Sequence, residues 1–89
     1  MVKRSKIDII VDILNCINAK EGKIKPTHLM YKSNLSHIQM KGYISELLDK
    51  NFIQEEFNEK KKMIAITKRG KDFLTKILQM KAFQDTFGL

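Results

Sequence analysis

The stretch that most narrows the possible folds runs from Pro26 to Tyr43, PTHLMYKSNLSHIQMKGY. Two helical segments meet there across a very short turn. Pro26 suits the first turn of a helix, where its missing N–H is no loss. A helix is therefore expected over 26–33, with Leu29 and Met30 turned inward. Asn34 tolerates the left-handed conformation that a tight turn requires, and Leu35 is placed to plug the core beneath it. Ser36-His37-Ile38-Gln39 then reads as an S-x-x-Q capping box. In such a box the serine hydroxyl accepts from the N–H of Gln39, and the glutamine side chain accepts from the N–H of Ser36.

The helix opened by Ser36 is expected to run over 36–50. At about 100° per residue, Met40, Tyr43, Ile44, Leu47 and Leu48 fall on one face, the core face. Ile38, Gly42, Ser45 and Asp49 lie opposite, flanked by His37, Lys41 and Glu46. The outer face is small, polar or cationic near its start and acidic farther along. That gradient suits a helix that docks its N-terminal half in a DNA groove.

The flanking segments complete the pattern. Ser5 is the expected N-cap of a first helix, in which Ile7, Ile10, Val11, Leu14 and Ile17 recur at helical spacing. Ile9, Ile13 and Cys16 widen that stripe, so the helix should pack on more than one side. Gly22 marks its stop, and Lys23-Ile24-Lys25 is a short extended piece. Asn51 ends the third helix. Residues 52–57 predict a strand, 58–62 a polar loop and 63–66 a second strand, together a β-hairpin with a lysine-rich tip. Thr67 caps a last helix whose Phe73, Ile77, Met80, Gln84 and Phe87 form a heptad-like seam, with Leu74, Leu78 and Phe83 beside it. Three helices, a hairpin and a closing helix make an α+β chain in the order of a winged helix-turn-helix. The expected division is a DNA-binding domain over 1–72 and a dimerisation helix over 73–89, continuous with it.

Composition agrees with one globular domain, and a core this small makes a dimer useful. The 89 residues carry 17 Lys and Arg against 10 Asp and Glu, a net charge of +7. Such a balance favours a polyanionic partner, nucleic acid first and an anionic membrane surface second. The lone Cys16 cannot form an internal disulfide and reads as a small core residue in a reducing compartment. No apolar run approaches a membrane span, and the N-terminal MVKRSKIDIIV carries charge within the run that a signal peptide keeps apolar. The expectation is a soluble, cytoplasmic protein.

The segments KRSKIDIIVDILNCI, PTHLMYKSNLS, YISELLDKNFI and ITKRGKDFL, which span most of the chain, resemble a family of small archaeal winged-helix DNA-binding proteins. That family includes predicted transcriptional regulators and chromatin proteins that dimerise as coiled coils. The resemblance implies a homodimer formed by antiparallel pairing of the last helix, through Phe73, Ile77, Met80, Gln84 and Phe87, and nucleoid association. The last helix of this chain is short by comparison, so its coiled coil would be brief.

The reading of the residues assigns parts to a DNA contact. His37, Ile38, Lys41, Gly42 and Ser45 point outward from the third helix toward a major groove. Lys41 and His37 can donate to base edges or phosphate, Ile38 can touch a thymine methyl or tuck under the second helix, and Gly42 permits close approach or tight packing. Thr27, Tyr31, Lys32 and Ser36 are placed for the phosphate backbone. Lys60, Lys61 and Lys62 at the wing, with Arg69 at the base of the last helix, add affinity for backbone or minor groove. No cofactor, metal site or enzymatic activity is expected. His28 and His37 lack metal-ligand spacing, and no phosphate-binding glycine loop or nucleophilic triad can be assembled. Two alternatives accompany a transcriptional role: a non-specific chromatin protein, and a winged-helix protein-interaction module.

Overall fold

The computed structural model describes residues 4–89. Of the basic N-terminal run, Met1, Val2 and Lys3 lie outside them. The element order is α1 (Lys6–Ala19), β1 (Lys23–Ile24), α2 (Pro26–Ser33), α3 (His37–Asp49), β2 (Ile53–Asn58), β3 (Lys61–Ile66) and α4 (Lys68–Thr86). The three strands form an antiparallel sheet in the order β1-β3-β2.

Local chemistry sets the boundaries. Ser5 caps α1 as expected, but Asp8 answers it. Each backbone N–H of the pair donates to the other's side chain at 3.1 Å. The helices end by one device. Gly22, Leu35, Phe52 and Leu89 each donate a backbone N–H to the carbonyl five residues back, on Ile17, Met30, Leu47 and Gln84. The residue before each donor is left-handed: Glu21 (φ 60), Asn34 (φ 54), Asn51 (φ 62) and Gly88 (φ 71). This is the Schellman stop. Asn34 and Asn51 tolerate the conformation. Glu21 adopts it without asparagine's or glycine's ease, while Gly22, the expected stop, is the next residue.

The core lies between α1 and the sheet. Ile13, Leu14, Ile17 and Leu29 are fully buried, and Ile24, Ile53 and Ile64 supply the inner face of the sheet. Leu35 plugs the turn at 8% exposure. Met40 and Leu47 are buried on α3, with Tyr43, Ile44 and Leu48 half-buried around them. Cys16 is half-buried against the same core. Ile7 departs from its expected stripe and stays 41% exposed, beyond the edge of the core.

The hairpin differs from its expectation. The ladder continues through Phe57↔Lys62 and Asn58↔Lys61. Only Glu59 and Lys60 form the turn, with Glu59 left-handed at φ 60. The loop expected over 58–62 is therefore mostly strand. A lysine run on a strand that outreaches the core satisfies its backbone in the ladder and its ammonium groups in water.

Thr67 joins α4 to the body. Its hydroxyl accepts from the N–H of Gly70 at 3.0 Å and donates to the carbonyl of Asn51 at 2.6 Å. A Cβ on Gly70 would sit 2.1 Å from the carbonyl oxygen of Phe52, so only glycine lets α4 start this close to β2. Farther along, Lys81 reaches Asp8 of α1 at 2.7 Å.

Candidate nucleic-acid interface

The capping box at the start of α3 forms as its sequence requires. Gln39 N–H donates to Ser36 Oγ at 3.2 Å, and Ser36 N–H donates to Gln39 Oε1 at 3.1 Å. Only Leu35 separates it from the left-handed Asn34, so the turn is short. Arg4, which no local pattern singled out, fastens that turn to α1. Its guanidinium donates to the carbonyls of Ser33 (2.9 Å) and Asn34 (3.3 Å) and to Asp12 (3.1 Å). These carbonyls are the unpaired end of α2, where an arginine is favoured by hydrogen bonding and by the helix dipole.

With its core face buried, α3 leaves His37, Ile38, Lys41, Gly42 and Ser45 exposed. Ile38 is 84% exposed, so it does not tuck under α2. Gly42 has no atom within 4 Å of where a Cβ would stand. The packing explanation for this glycine therefore has no neighbour to act through. A mid-helix glycine costs about 1 kcal/mol relative to alanine, and among the described residues nothing uses the space it opens.

One cleft gathers several of the expected residues. Thr27 and Met30 of α2, His37, Met40 and Lys41 of α3, and Lys62 and Ile64 of β3 line a cavity of about 320 Å³. Its floor is apolar and its rim is hydroxyl, imidazole and ammonium. Tyr31, 83% exposed, lies in a neighbouring hollow with Asn34 and Leu35. Thr27, Lys32 and Ser36 are exposed around these hollows.

Three acidic groups near this surface are tied to lysines, whereas Asp49 and Glu59 make no ion pair among the described residues. Glu46 accepts from Lys6 of α1 at 2.7 Å, and that hydrogen bond holds its carboxyl below the usual range. Glu55 pairs with Lys62 across the hairpin, and Glu56 with Lys23 at 3.4 Å. Lys41, Lys60 and Lys61 make no ion pair among the described residues. The surface is therefore cationic where α3 begins, and at the hairpin tip Lys60 and Lys61 outweigh the unpaired Glu59.

The remaining assigned residues lie elsewhere. Arg69 donates to the carbonyl of Lys50 at 3.0 Å and sits over the Phe52 ring, 5.3 Å from its centre. It lines a different hollow, with Phe73 and Lys76. Phe73 stacks on Phe52 at 4.6 Å, and Ile77 packs against the core. Met80, Phe83 and Phe87 are 57%, 60% and 65% exposed, and Gln84 is exposed among them. Sequence reasoning passed over Phe57, which stands 74% exposed near the hairpin tip. The signal available was its place at the end of a strand, beyond the last buried alternation partner.

A family model described as winged helix-turn-helix matches residues 3–85. The chain belongs to the winged helix-turn-helix family. Within this winged helix, α2 and α3 are the helix-turn-helix and the β2–β3 hairpin is the wing. The uncharacterized protein MJ0290 of Methanocaldococcus jannaschii is 38% identical over 76 residues, 85% of this chain. The match covers only 33% of that relative's length. Among solved structures, Sso10a-2, a DNA-binding protein from Sulfolobus solfataricus, superposes with a TM-score of 0.77 at 21% identity, covering 94% of this chain and 85% of that one. F93 from STIV, a winged-helix DNA-binding protein, gives 0.75 at 17% identity, covering 92% of each chain. No helix among the described residues is long and apolar enough to cross a membrane. No group of three or more His, Cys, Asp or Glu among them is placed to hold a metal ion.

Proposed function

We propose that this winged helix binds double-stranded DNA, with α3 in the major groove and the wing on the backbone or minor groove, in a transcriptional role. The observation that carries this is Gly42. It opens space at the centre of an exposed face, beside Lys41 and one turn from Ile38 and Ser45. That face can bring backbone close to base edges, while Lys41 and His37 supply donors. Thr27, Ser36 and Tyr31 flank it for phosphate contact. The DNA-binding names of Sso10a-2 and F93 support the same reading. An interaction module would be expected to show an acidic or apolar face here, whereas His37 and Lys41 beside the exposed Ile38 make the start of α3 a donor-bearing face without acid.

A homodimer through α4 completes the proposal. Phe73 and Ile77 are already engaged within the chain, so the seam left for a partner is Met80, Gln84 and Phe87, with Phe83 beside it. Sedimentation showing a monomer at tens of micromolar would remove the dimer and leave DNA binding standing.

The experiment on DNA is a titration of duplexes, random and enriched, across a salt series, with Lys41→Glu and Lys60→Glu/Lys61→Glu variants. Binding should weaken steeply with salt and drop in both variants. A preferred sequence indicates a regulator, and equal affinity for all duplexes an architectural chromatin protein. No duplex binding at low salt sinks the reading.

A further inference from the structure

Phe57 stands exposed near the hairpin tip. A single exposed apolar residue ordinarily needs no explanation, but the surroundings of this one do. It lies on β2 directly opposite Lys62, and both share a sheet face with Ile53 and Ile64. Ile53 and Ile64 are buried at 2% and 1%, whereas Phe57 is 74% exposed. The ladder thus carries an aromatic ring past the end of the core on the face that points to the helices. Lys62 lines the cleft with His37 and Lys41, so its cross-strand partner Phe57 stands on the side where α3 would meet a groove. Lys60 in the turn and Lys61 at the start of β3 are close by and outnumber Glu59, and Glu55 is paired with Lys62. The ring is therefore held by paired backbone rather than by a loose loop, within a cationic tip.

Resting on the duplex-binding reading above, we propose that Phe57 is an apolar wedge. It enters the minor groove next to the tract contacted by α3 and partly unstacks one base step, bending the duplex. Proteins that insert phenylalanine between base steps kink DNA in this way, and pyrimidine–purine steps yield most easily. The lysines bring the tip to the phosphates, and the ring converts that approach into deformation.

The test uses the full chain and a duplex of about 30 bp, well below the DNA persistence length, labelled at both ends for energy transfer. The native protein should shorten the end-to-end distance. Phe57→Ala should bind about tenfold more weakly, with the same salt slope because no charge has changed, and should leave the duplex straight. Phe57→Leu should retain most of the bend. Because the ring is exposed, Phe57→Ala should melt at the native temperature, which a thermal scan checks. Native protein that binds without bending, or Phe57→Ala that bends as the native protein does, overturns the wedge while DNA binding stands. A change in sedimentation with unchanged DNA affinity assigns Phe57 to a protein contact and also overturns it. Native protein that binds no duplex at all removes the underlying reading instead.

Discussion

Gly42 and Gly70 are both helical glycines, and their surroundings are opposite. At Gly70 a methyl group would meet the Phe52 carbonyl at 2.1 Å and the Ile66 side chain at 2.9 Å. At Gly42 it would meet nothing within 4 Å. The first glycine closes a contact inside the chain, where α4 lies against the start of β2. The second keeps open a contact that the chain does not make with itself. The same residue type therefore marks the sealed body in one place and the outward-facing surface in the other.

That contrast breaks or sharpens under substitution. Gly70→Ala should cost about 3 kcal/mol of stability, since the obstacle is backbone and cannot rotate away; urea unfolding measures it, and a cost under 1 kcal/mol would show that α4 can shift freely. Arg4→Ala removes donors from the carbonyls of Ser33 and Asn34, and should cost about 1–2 kcal/mol. Gly42→Ala should do the reverse of Gly70→Ala, raising stability by about 1 kcal/mol while weakening duplex binding by about tenfold, near 1.4 kcal/mol. A gain in both would remove the functional argument for that glycine. Glu21→Gly relieves a left-handed non-glycine residue at the end of α1 and should add about 0.5–1 kcal/mol without touching DNA affinity.

The smallest effect is the pH dependence of the body. Lys81 and the Ser5 amide hydrogen-bond Asp8 and lower its carboxyl to about 2. A carboxylate with a depressed folded-state value stabilises above its unfolded value, about 3.9. That contribution is lost as pH falls through about 2. Thermal melts should fall across this window, and Asp8→Asn should flatten the slope there. The pair is solvent-screened, so the change should be modest.

Much of this architecture was legible because its signals are local. The turn at Asn34-Leu35-Ser36 rests on one left-handed residue and one capping box, and both can be read within six residues. The hairpin tip was harder. Lysines 60–62 look like loop because they are polar, yet the ladder takes in two of them. Strand pairing depends on the partner strand and not on composition. Arg4 was invisible as a support because its acceptors lie about 30 residues away. The last helix was misleading in another way. Its heptad spacing is real, but Phe73 and Ile77 on that seam face their own domain, and periodicity does not say which neighbour fills a stripe. At the candidate interface, His37, Lys41 and Gly42 were readable as an outward face, whereas the convergence of Lys62 on the same cleft required the sheet register.

The N-terminal stretch from Arg4 to Asp8 holds two distant parts of the chain at once. Arg4 grips the end of α2, and Asp8 grips Lys81 near the end of α4. Mechanically, these five residues are a shared bracket. Asp8, the partner of Lys81, lies four residues along the chain from Arg4, the group that holds the turn before α3. The turn before α3 and the far half of α4 are thus both tied to the start of α1, although Asn34 and Lys81 lie far apart in the chain.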